Sequence, residues 1–220
     1  MDSRDAEAAL VTDGSPRGAS QAARRLVILD AAKQVFFDAG YQLASMDRIA
    51  DAAATTKRTL YAYFPNKTAL FAAVVAKGCA SVLSQLPSRD QLPADPREGL
   101  RIFARVSAEL MTAPNCIKLE RVIVAEADRH PQFAATLAEA FDAGEAKLAA
   151  YLEACIDAGR LKAHDPRLGA RLLSSGIGLS ANLKSLLAAE PSADAAALTA
   201  QAGEAVIALY LGAYAVHPAG

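Results

Sequence analysis

The chain has 220 residues, enough for one large or two modest domains with a sizeable buried core. Its composition is 53% apolar and rich in alanine, with no tryptophan and few β-branched runs, which is typical of an all-helical protein. The net charge is −1, but residues 17–67 hold eight basic and four acidic residues and so carry +4. The overall balance therefore does not exclude a polyanionic partner for this first part of the chain.

The sequence shows neither a secretory leader nor a membrane span. Its longest uncharged apolar stretches, 172–183 and 205–216, are shorter than the ~20 residues that a spanning helix needs. We therefore expect a soluble cytoplasmic protein with no membrane partner. Cys79, Cys116 and Cys155 form an odd count without metal-ligand spacing, so we interpret them as apolar core residues, with a redox-sensing thiol as the alternative. No cofactor or metal site is predicted.

The N-terminal part divides into an arm and a helix. Residues 1–20 lack an apolar period and are predicted to form a flexible arm, in which Arg17 could touch DNA but is more simply solvated. Gln21 to Ala39 is predicted to be a helix with a buried face, and Gly40 suits the position that stops it.

The segment 45–64 has the pattern of two short helices joined by a tight turn. Ser45 can cap the first helix, whose apolar face recurs at intervals of three and four residues. Thr56 can cap the second, which runs from Lys57 to about Phe64 and ends before Pro65. The apolar residues predicted to point inward are Met46, Ile49, Ala50, Ala53, Leu60 and Phe64.

The remaining faces of the second short helix carry basic, hydroxyl and aromatic side chains. A helix this short buries little surface, so these groups favour reading of the DNA major groove. The alternatives are a plain solvated surface, and core aromatics whose hydroxyls reach water. Asn66 can cap the next helix, and Lys67 in its first turn opposes the helix dipole, which indicates placement for a phosphate.

This region, over roughly residues 22–82, resembles the TetR family of bacterial repressors in register. The matching positions are Arg25, Ile28, Leu29, Ala31, Ala32, Phe36, Gly40, Tyr41, Ile49, Ala50, Ala53, Thr56, Thr59, Leu60, Tyr61, Tyr63, Phe64 and Lys67. The chain departs from the family at Ala54 and Arg58, where glycine is usual or frequent. Arg58 adds a long donor and is a candidate determinant of sequence specificity.

Further helices are delimited by proline and glycine. Their predicted extents are 67–86, 96–112, from a cap at Asn115 to about 129, 131–158, 166–189, and a last helix after Pro191 that ends before Pro218. This gives nine helices, in agreement with the TetR ground plan. The stretch 119–133 also resembles the effector domain of the AefR-like branch of that family.

The last two helices carry apolar stripes suited to assembly or to an intramolecular core, and one chain does not distinguish these. The family resemblance implies a homodimer built from both helices of each subunit as a four-helix bundle. The residues assigned to this interface are Leu168, Leu172, Ser175, Leu179, Leu183, Leu186, Val206, Tyr210, Ala213 and Tyr214.

The resemblance implies an arm at 1–20, a helix-turn-helix DNA-binding domain at 21–82, and an effector-binding and dimerisation domain at 83–220. Residues assigned to DNA are Ser45, Thr56, Lys57, Arg58, Thr59, Tyr61, Tyr63 and Lys67. The implied function is a homodimeric repressor that binds a palindromic operator on double-stranded DNA and is released by a small-molecule effector. The alternatives are an activator of the same fold, or a ligand-binding helical dimer without a DNA-binding role.

The candidate effector-binding residues are apolar. Apolar residues that could line a pocket are Phe103, Met111, Phe133, Phe141 and Tyr151, which favours an apolar or amphipathic ligand, although each is also suited to plain core. His130 and His164 stand near Pro131 and Pro166 and are predicted to be exposed loop residues. No arrangement of nucleophile and base, and no paired carboxylates, indicates an enzyme.

Overall fold

The structure is a computed structural model that describes the backbone of residues 16–187 and 195–216. Side chains are described from residue 20 onwards, except at 178–181, 195, 196, 198 and 199. Within these ranges the protein is all-α, as predicted, with nine α-helices, a 3-10 turn at Arg89–Gln91 and one isolated bridge between Leu161 and Ala215. The helices are α1 (Pro16–Leu43), α2 (Met46–Ala52), α3 (Lys57–Tyr63), α4 (Lys67–Gln85), α5 (Pro96–Met111), α6 (Pro114–Glu126), α7 (Pro131–Asp157), α8 (Pro166–Leu187) and α9 (Ala195–Tyr214).

Two predicted helix starts are wrong. Helix α1 begins at Pro16 instead of Gln21, and residues 1–15 of the predicted arm lie outside the described residues. Helix α6 is capped at Ala113 and has Pro114 in its first turn, so Asn115 lies inside the helix. Proline suits this position because its fixed φ is helical and its missing N–H would have no partner there. Gly40 breaks α1 as predicted, with φ of 71°.

The chain forms two compact units, Met1–Val74 and Val75–Gly220. The division therefore falls within α4, earlier than the predicted boundary at residues 82–83. The core of the first unit contains the rings of Phe36, Tyr41 and Phe71, whose centroids lie 4.7 to 5.9 Å apart. The Tyr41 hydroxyl completes this core with a 3.0 Å hydrogen bond to Thr68 Oγ1.

The second unit is a helical array in which α8 packs against both α7 and α9, and α5 packs against α9. Its core is a continuous apolar cluster contributed by these helices and by the loop before α5. The fully buried members include Leu100, Leu148, Leu152, Ala170, Leu173 and Ile207. At the surface, the Arg101 guanidinium binds both carboxylate oxygens of Glu204 at 2.8 to 3.0 Å and ties α5 to α9.

Helix α4 is, among the described helices, the one that is long and apolar enough to cross a bilayer by length and composition, with a mean hydropathy of 1.4. A core helix meets the same criterion. The first half of α4 buries Leu70, Phe71, Val74 and Val75. We therefore interpret its apolar character as the result of packing.

Candidate nucleic-acid interface

Two side-chain caps fix the segment from α2 to α3. The Ser45 hydroxyl accepts a 3.2 Å hydrogen bond from the backbone N–H of Arg48, and the Thr56 hydroxyl accepts one of 3.1 Å from Thr59. Each cap satisfies an N–H group that the first helical turn leaves without a partner. The residues predicted to point inward are buried, with Ile49 and Leu60 fully so. The two helices therefore present a defined outer surface.

The turn between these helices contains the one non-glycine residue with positive φ among the described residues, Ala54 at 47°. This left-handed conformation brings the Cβ of alanine close to the carbonyl group, which costs about 1 kcal/mol relative to glycine. The turn is held by backbone hydrogen bonds from Ala54 to Asp51 and from Thr55 to Ala50, at 3.0 and 2.9 Å. The departure at Ala54 thus lies at the position whose backbone favours glycine.

The outer face of α3 exposes Lys57, Arg58 and Tyr61, while Thr59 and Tyr63 are half-buried. Lys57 Nζ lies 2.6 Å from Asp47 Oδ2 at the surface, and this hydrogen-bonded carboxylate raises the pKa of Lys57. Throughout the described parts of the chain, the Arg58 guanidinium has no hydrogen-bond or ion-pair partner. Arg58 therefore has all its donors available to a ligand in solution.

Lys67 has a different role from the predicted one. Its Nζ donates hydrogen bonds to the carbonyl oxygens of Tyr41, Gln42 and Ala44 at 2.8, 3.2 and 3.0 Å, and it lies 4.6 Å from the centroid of the Tyr41 ring. An ammonium group has three N–H donors, and all three are used here. Lys67 closes the end of α1, so its assignment to a phosphate is corrected.

Arg25, on α1, lies close to the end of α3. Its guanidinium carbon is 5.2 Å from the centroid of the Phe64 ring, directly after α3. Arg25 matched the family pattern but was not assigned to DNA, because its sequence distance from α3 gave no indication of this contact. Its side chain is exposed and cationic.

The residues predicted to line an effector pocket differ in their burial and in their contacts. Phe103 and Phe133 are buried and Met111 is half-buried, whereas Phe141 is 45% exposed on α7, so its assignment to an interior pocket is wrong. The Tyr151 hydroxyl donates to the carbonyl oxygens of Pro93 and Asp95, at 2.9 and 3.0 Å, and so anchors the loop before α5. Tyr151 is therefore reassigned from ligand binding to structure.

A buried polar cluster in the second unit was missed from the sequence. The Glu120 carboxylate, in α6, accepts a 3.0 Å hydrogen bond from Asn182 Nδ2 in α8 and lies 3.6 Å from Cys116 Sγ. Burial raises the pKa of Glu120 and, together with the Glu120 charge, raises that of Cys116 to about 12. The available signal was a carboxylate in phase with Ile117 and Ile123 on the apolar face of α6.

The predicted assembly residues on α8 form a partly exposed stripe. Leu168, Leu172, Ser175 and Leu183 are exposed and Leu186 is half-buried, while the side chain of Leu179 lies outside the described residues. Leu187, which was not assigned, extends this stripe and is 79% exposed. Exposed leucines at a helical period are characteristic of a surface that another helix covers.

The predicted stripe on α9 mostly faces its own subunit. Tyr210 is buried, its hydroxyl is hydrogen-bonded to His164 Nε2, and the His164 ring stacks on Tyr214 at 4.1 Å between centroids. Val206 is half-buried against the core of the second unit. Tyr210 is therefore committed to its own subunit, whereas the assignment of the half-buried Tyr214 and Val206 to a subunit interface stays a prediction. His164 is half-buried, so its prediction as an exposed loop residue is wrong. Ala213, by contrast, is exposed.

Comparisons with known proteins agree with this geometry. The family model for bacterial regulatory proteins of the tetR family matches residues 28–74, and that for the C-terminal domain of AefR-like transcriptional repressors matches residues 98–216. The chain is 38% identical over 78 residues to the transcriptional activator FasR from Mycolicibacterium smegmatis. That match spans 36% of this chain and 36% of FasR, about a third of the length of either.

Solved structures resemble nearly the whole chain. A TetR-family regulator from Mesorhizobium loti shares 27% identity at a TM-score of 0.82, covering 89% of this chain and 98% of that one. The flavonoid-responsive regulator FrrA shares 31% identity at a TM-score of 0.71, covering 90% of this chain and 100% of FrrA. A capped helix-turn-helix with a cationic outer face, followed by a second helical unit, defines a DNA-binding transcriptional regulator. This chain belongs to the TetR family, and its C-terminal part is of the AefR-like type.

Proposed function

We propose that this regulator is a homodimeric repressor that binds a palindromic operator in the bacterial cytoplasm and is released by a small-molecule effector. The observation that carries the DNA-binding part is Arg58, an exposed guanidinium without a described partner on a helix whose inner face is fully committed to the core. Arginine forms its commonest specific contact with the O6 and N7 atoms of guanine in the major groove. The local excess of basic residues between positions 17 and 67 favours the approach of a polyanion.

The exposed residues divide into groups that read bases and groups that hold the backbone. We assign Arg58 and Thr56 to base edges, and Ser45, Lys57 and Tyr63 to phosphates, with Thr59 and Tyr61 completing the reading surface. The Ser45 hydroxyl accepts a hydrogen bond as a cap and keeps an O–H that can donate to a phosphate. The Thr56 hydroxyl also lies 2.9 Å from Thr59 Oγ1, so its O–H can donate to a base when Thr59 is the donor of that bond. Lys57 would exchange its surface partner Asp47 for a phosphate at small cost, because exposed ion pairs are weak.

Mobility-shift titration against palindromes from adjacent promoters tests this proposal. Arg58→Ala should weaken operator binding by about 1–3 kcal/mol and relax selectivity at one base position of each half-site. Arg129→Ala, an exposed arginine in the second unit, is the matched control and should bind normally. If folded wild-type dimer shows no operator binding at low salt, the proposal fails and a ligand-binding dimer without a DNA role replaces it.

The dimer is supported by the exposed leucine stripe on α8. Two copies of this stripe, with the exposed face of α9 that carries Leu209 and Ala213, can form a two-fold interface that presents two α3 helices to successive major grooves. Leu172→Glu should shift the protein to monomer in analytical ultracentrifugation and abolish operator binding, since one half-site alone binds weakly. Phe141→Glu, an exposed apolar residue outside this stripe, should leave the mass unchanged.

Activation is the second candidate, because FasR is named as a transcriptional activator. The position of the operator decides between the two, since repression requires overlap with the polymerase site. Transcription in vitro from the footprinted promoter distinguishes them: less transcript on adding protein supports repression, and more supports activation. Effector release would correspond to a coupling free energy of about 1–3 kcal/mol between ligand and operator.

A further inference from the structure

The second unit contains a carboxylate that is buried without a cation. Glu120 is 4% exposed, and within the described residues no lysine, arginine or histidine is paired with it. Its two bonded neighbours, Asn182 and Cys116, are neutral donors. The Arg121 side chain beside it in sequence instead donates to the carbonyl oxygens of Ser185 and Leu186 at 2.7 and 3.1 Å.

This arrangement leaves much of the acceptor capacity of Glu120 unused. An ionised carboxylate offers about four acceptor sites, and burying it without a compensating charge is costly. Packing alone would be served better by glutamine or leucine at this position. The carboxylate therefore has acceptor sites that a donor on a bound molecule could use.

On the neighbouring helix α5, a buried hydroxyl group has no hydrogen-bond partner within the described residues. Ser107 Oγ, in α5, is buried and makes no hydrogen bond within the described structure. Ser107 stands one helical turn before Met111, whose carbonyl oxygen accepts from Asn182 Nδ2 at 3.5 Å, so this end of α5 lies next to the cluster. Buried polar groups without partners in native proteins call for an explanation such as a bound molecule.

We propose that Glu120 and Asn182 anchor an organic cation, a primary ammonium or amidinium on an apolar body, as the effector of this regulator. This inference rests on the proposed function and names the chemistry of its ligand. The ammonium would donate to Glu120 and, through the available hydroxyl, to Ser107. The apolar body would lie against Met111 and the buried side chains of α6. An anion is excluded by repulsion, and a neutral phenol would leave the buried charge uncompensated.

The charge of Glu120 predicts a distinctive pH dependence. Because burial raises the pKa of Glu120, this carboxyl group is protonated in a fraction of the protein molecules and must lose its proton before it can pair with a cation. The affinity for the cation should therefore rise with pH and level off above the pKa of Glu120. The titratable groups that face Glu120 are the thiols of Cys116 on its own helix and Cys79 on α4. Burial raises the pKa of both thiols, which therefore remain neutral in this range.

Calorimetric titration of the full-length protein with matched ligands tests the inference. The probes are 4-butylbenzylamine, its ethyl and hexyl homologues, and 4-butylbenzyl alcohol, which keeps the body without the charge. We expect an amine to bind at least about tenfold more tightly than the alcohol at pH 8, and Glu120→Gln to remove most of this preference. Glu126→Gln, which changes a second buried glutamate of α6, is the matched control and should preserve it.

Each outcome decides the matter. Equal affinity for amine and alcohol, a preference that survives Glu120→Gln, or no binding by the whole amine series overturns the inference. If Glu120→Gln does not fold, titrations of wild-type protein in buffers of different ionisation enthalpy replace it. Proton release on amine binding near the Glu120 pKa then supports the inference, and its absence overturns it. Operator binding is measured separately by mobility shift. If the protein binds its operator but no amine, only this inference is overturned, and the proposed DNA-binding function stands.

Discussion

The two units place their polar chemistry in opposite ways. In the first unit the charged and hydroxyl groups around α3 lie at the surface, where Arg58 has no described partner and Lys57 has only an exposed one. In the second unit the polar side chains Glu120, Asn182 and Ser185 are buried among apolar residues. Surface donors suit a large solvated polyanion that arrives from outside, whereas a buried carboxylate suits a small ligand that leaves water.

The units share one structural device, the closing of helix ends by cationic side chains. Lys67 closes α1 and, in the second unit, Arg121 closes α8 and Lys147 closes α4, donating to the carbonyl oxygens of Leu83 and Leu86 at 2.6 and 2.8 Å. Lys162 Nζ similarly donates to Ala213 at the end of α9. These cations satisfy carbonyl groups that a helix leaves without partners and oppose its negative end. A cation in this protein therefore cannot be assigned to DNA from its charge alone.

Among the substitutions that test this comparison, Lys67→Met should have the largest effect on the free energy of unfolding. Loss of three charge-assisted hydrogen bonds to carbonyl oxygens should lower the free energy of unfolding by about 2–4 kcal/mol in chemical denaturation. Lys57→Met, which removes a surface ion pair, should change it by less than about 1 kcal/mol. A small stability loss with a salt slope of DNA binding reduced by roughly one unit would return Lys67 to the phosphate contacts.

Tyr151→Phe should have the next largest effect, in the second unit. The O–H group lies between two loop carbonyl groups, and its loss leaves both without this donor, which should cost about 1–2 kcal/mol of unfolding free energy. Tyr61→Phe, at an exposed position on α3, should cost less than about 0.5 kcal/mol. Equal costs for the two substitutions would contradict the anchoring role of Tyr151.

Glu120→Gln should stabilise the protein by about 1 kcal/mol at pH 8, because it removes an unpaired buried charge. The folded-state pKa of Glu120 lies above its ordinary value of 4.5, so the native state binds the proton more tightly than the unfolded state. Wild-type stability is therefore lost as pH rises from about 4.5 through the folded pKa. The advantage of the glutamine variant should vanish near pH 4, measured at equal protein concentration, and a constant advantage would refute this account.

Ala54→Gly should have the smallest effect, a stabilisation of about 0.5 kcal/mol. Glycine relieves the strain of a positive φ but loses more conformational entropy on folding, so the gain is partly offset. Ala52→Gly, at the helical position two residues earlier, should instead destabilise by about 0.5–1 kcal/mol. Destabilisation by both substitutions would show that the turn does not favour glycine at residue 54.

The features predictable from the sequence are those set by neighbouring residues. Ser45 and Thr56 cap helices as predicted, and Asn66 Oδ1 accepts from Ala69 at 2.8 Å, because a cap joins residues only two or three positions apart. The nine helices and the inner face of α2 and α3 follow from the same short-range rules. For α3, the four-residue spacing of the inward-pointing Leu60 and Phe64 likewise predicts Arg58 on the outside.

The features that could not be predicted depend on distant partners. The Lys67 carbonyl acceptors precede it by more than twenty residues, so its sequence neighbours suggested only an unfavourable charge at a helix start. Helix α9 is apolar on nearly every side, so its pattern could not decide whether Tyr210 faces its own core or another subunit. Glu120 was detectable as a charge on an apolar face, but its pairing with Asn182 required the placement of α8 beside α6.

The fastening of α4 restricts the motions available to it. Its last carbonyl groups accept from Lys147, while its first residue, Lys67, is hydrogen-bonded to the end of α1. Sliding along its axis by one turn, about 5.4 Å, would break both sets of bonds at once. Tilting about either end preserves one set. The two ends of α4 are therefore held independently, and loss of one set of bonds should raise amide hydrogen exchange at that end of the helix while the other end stays protected.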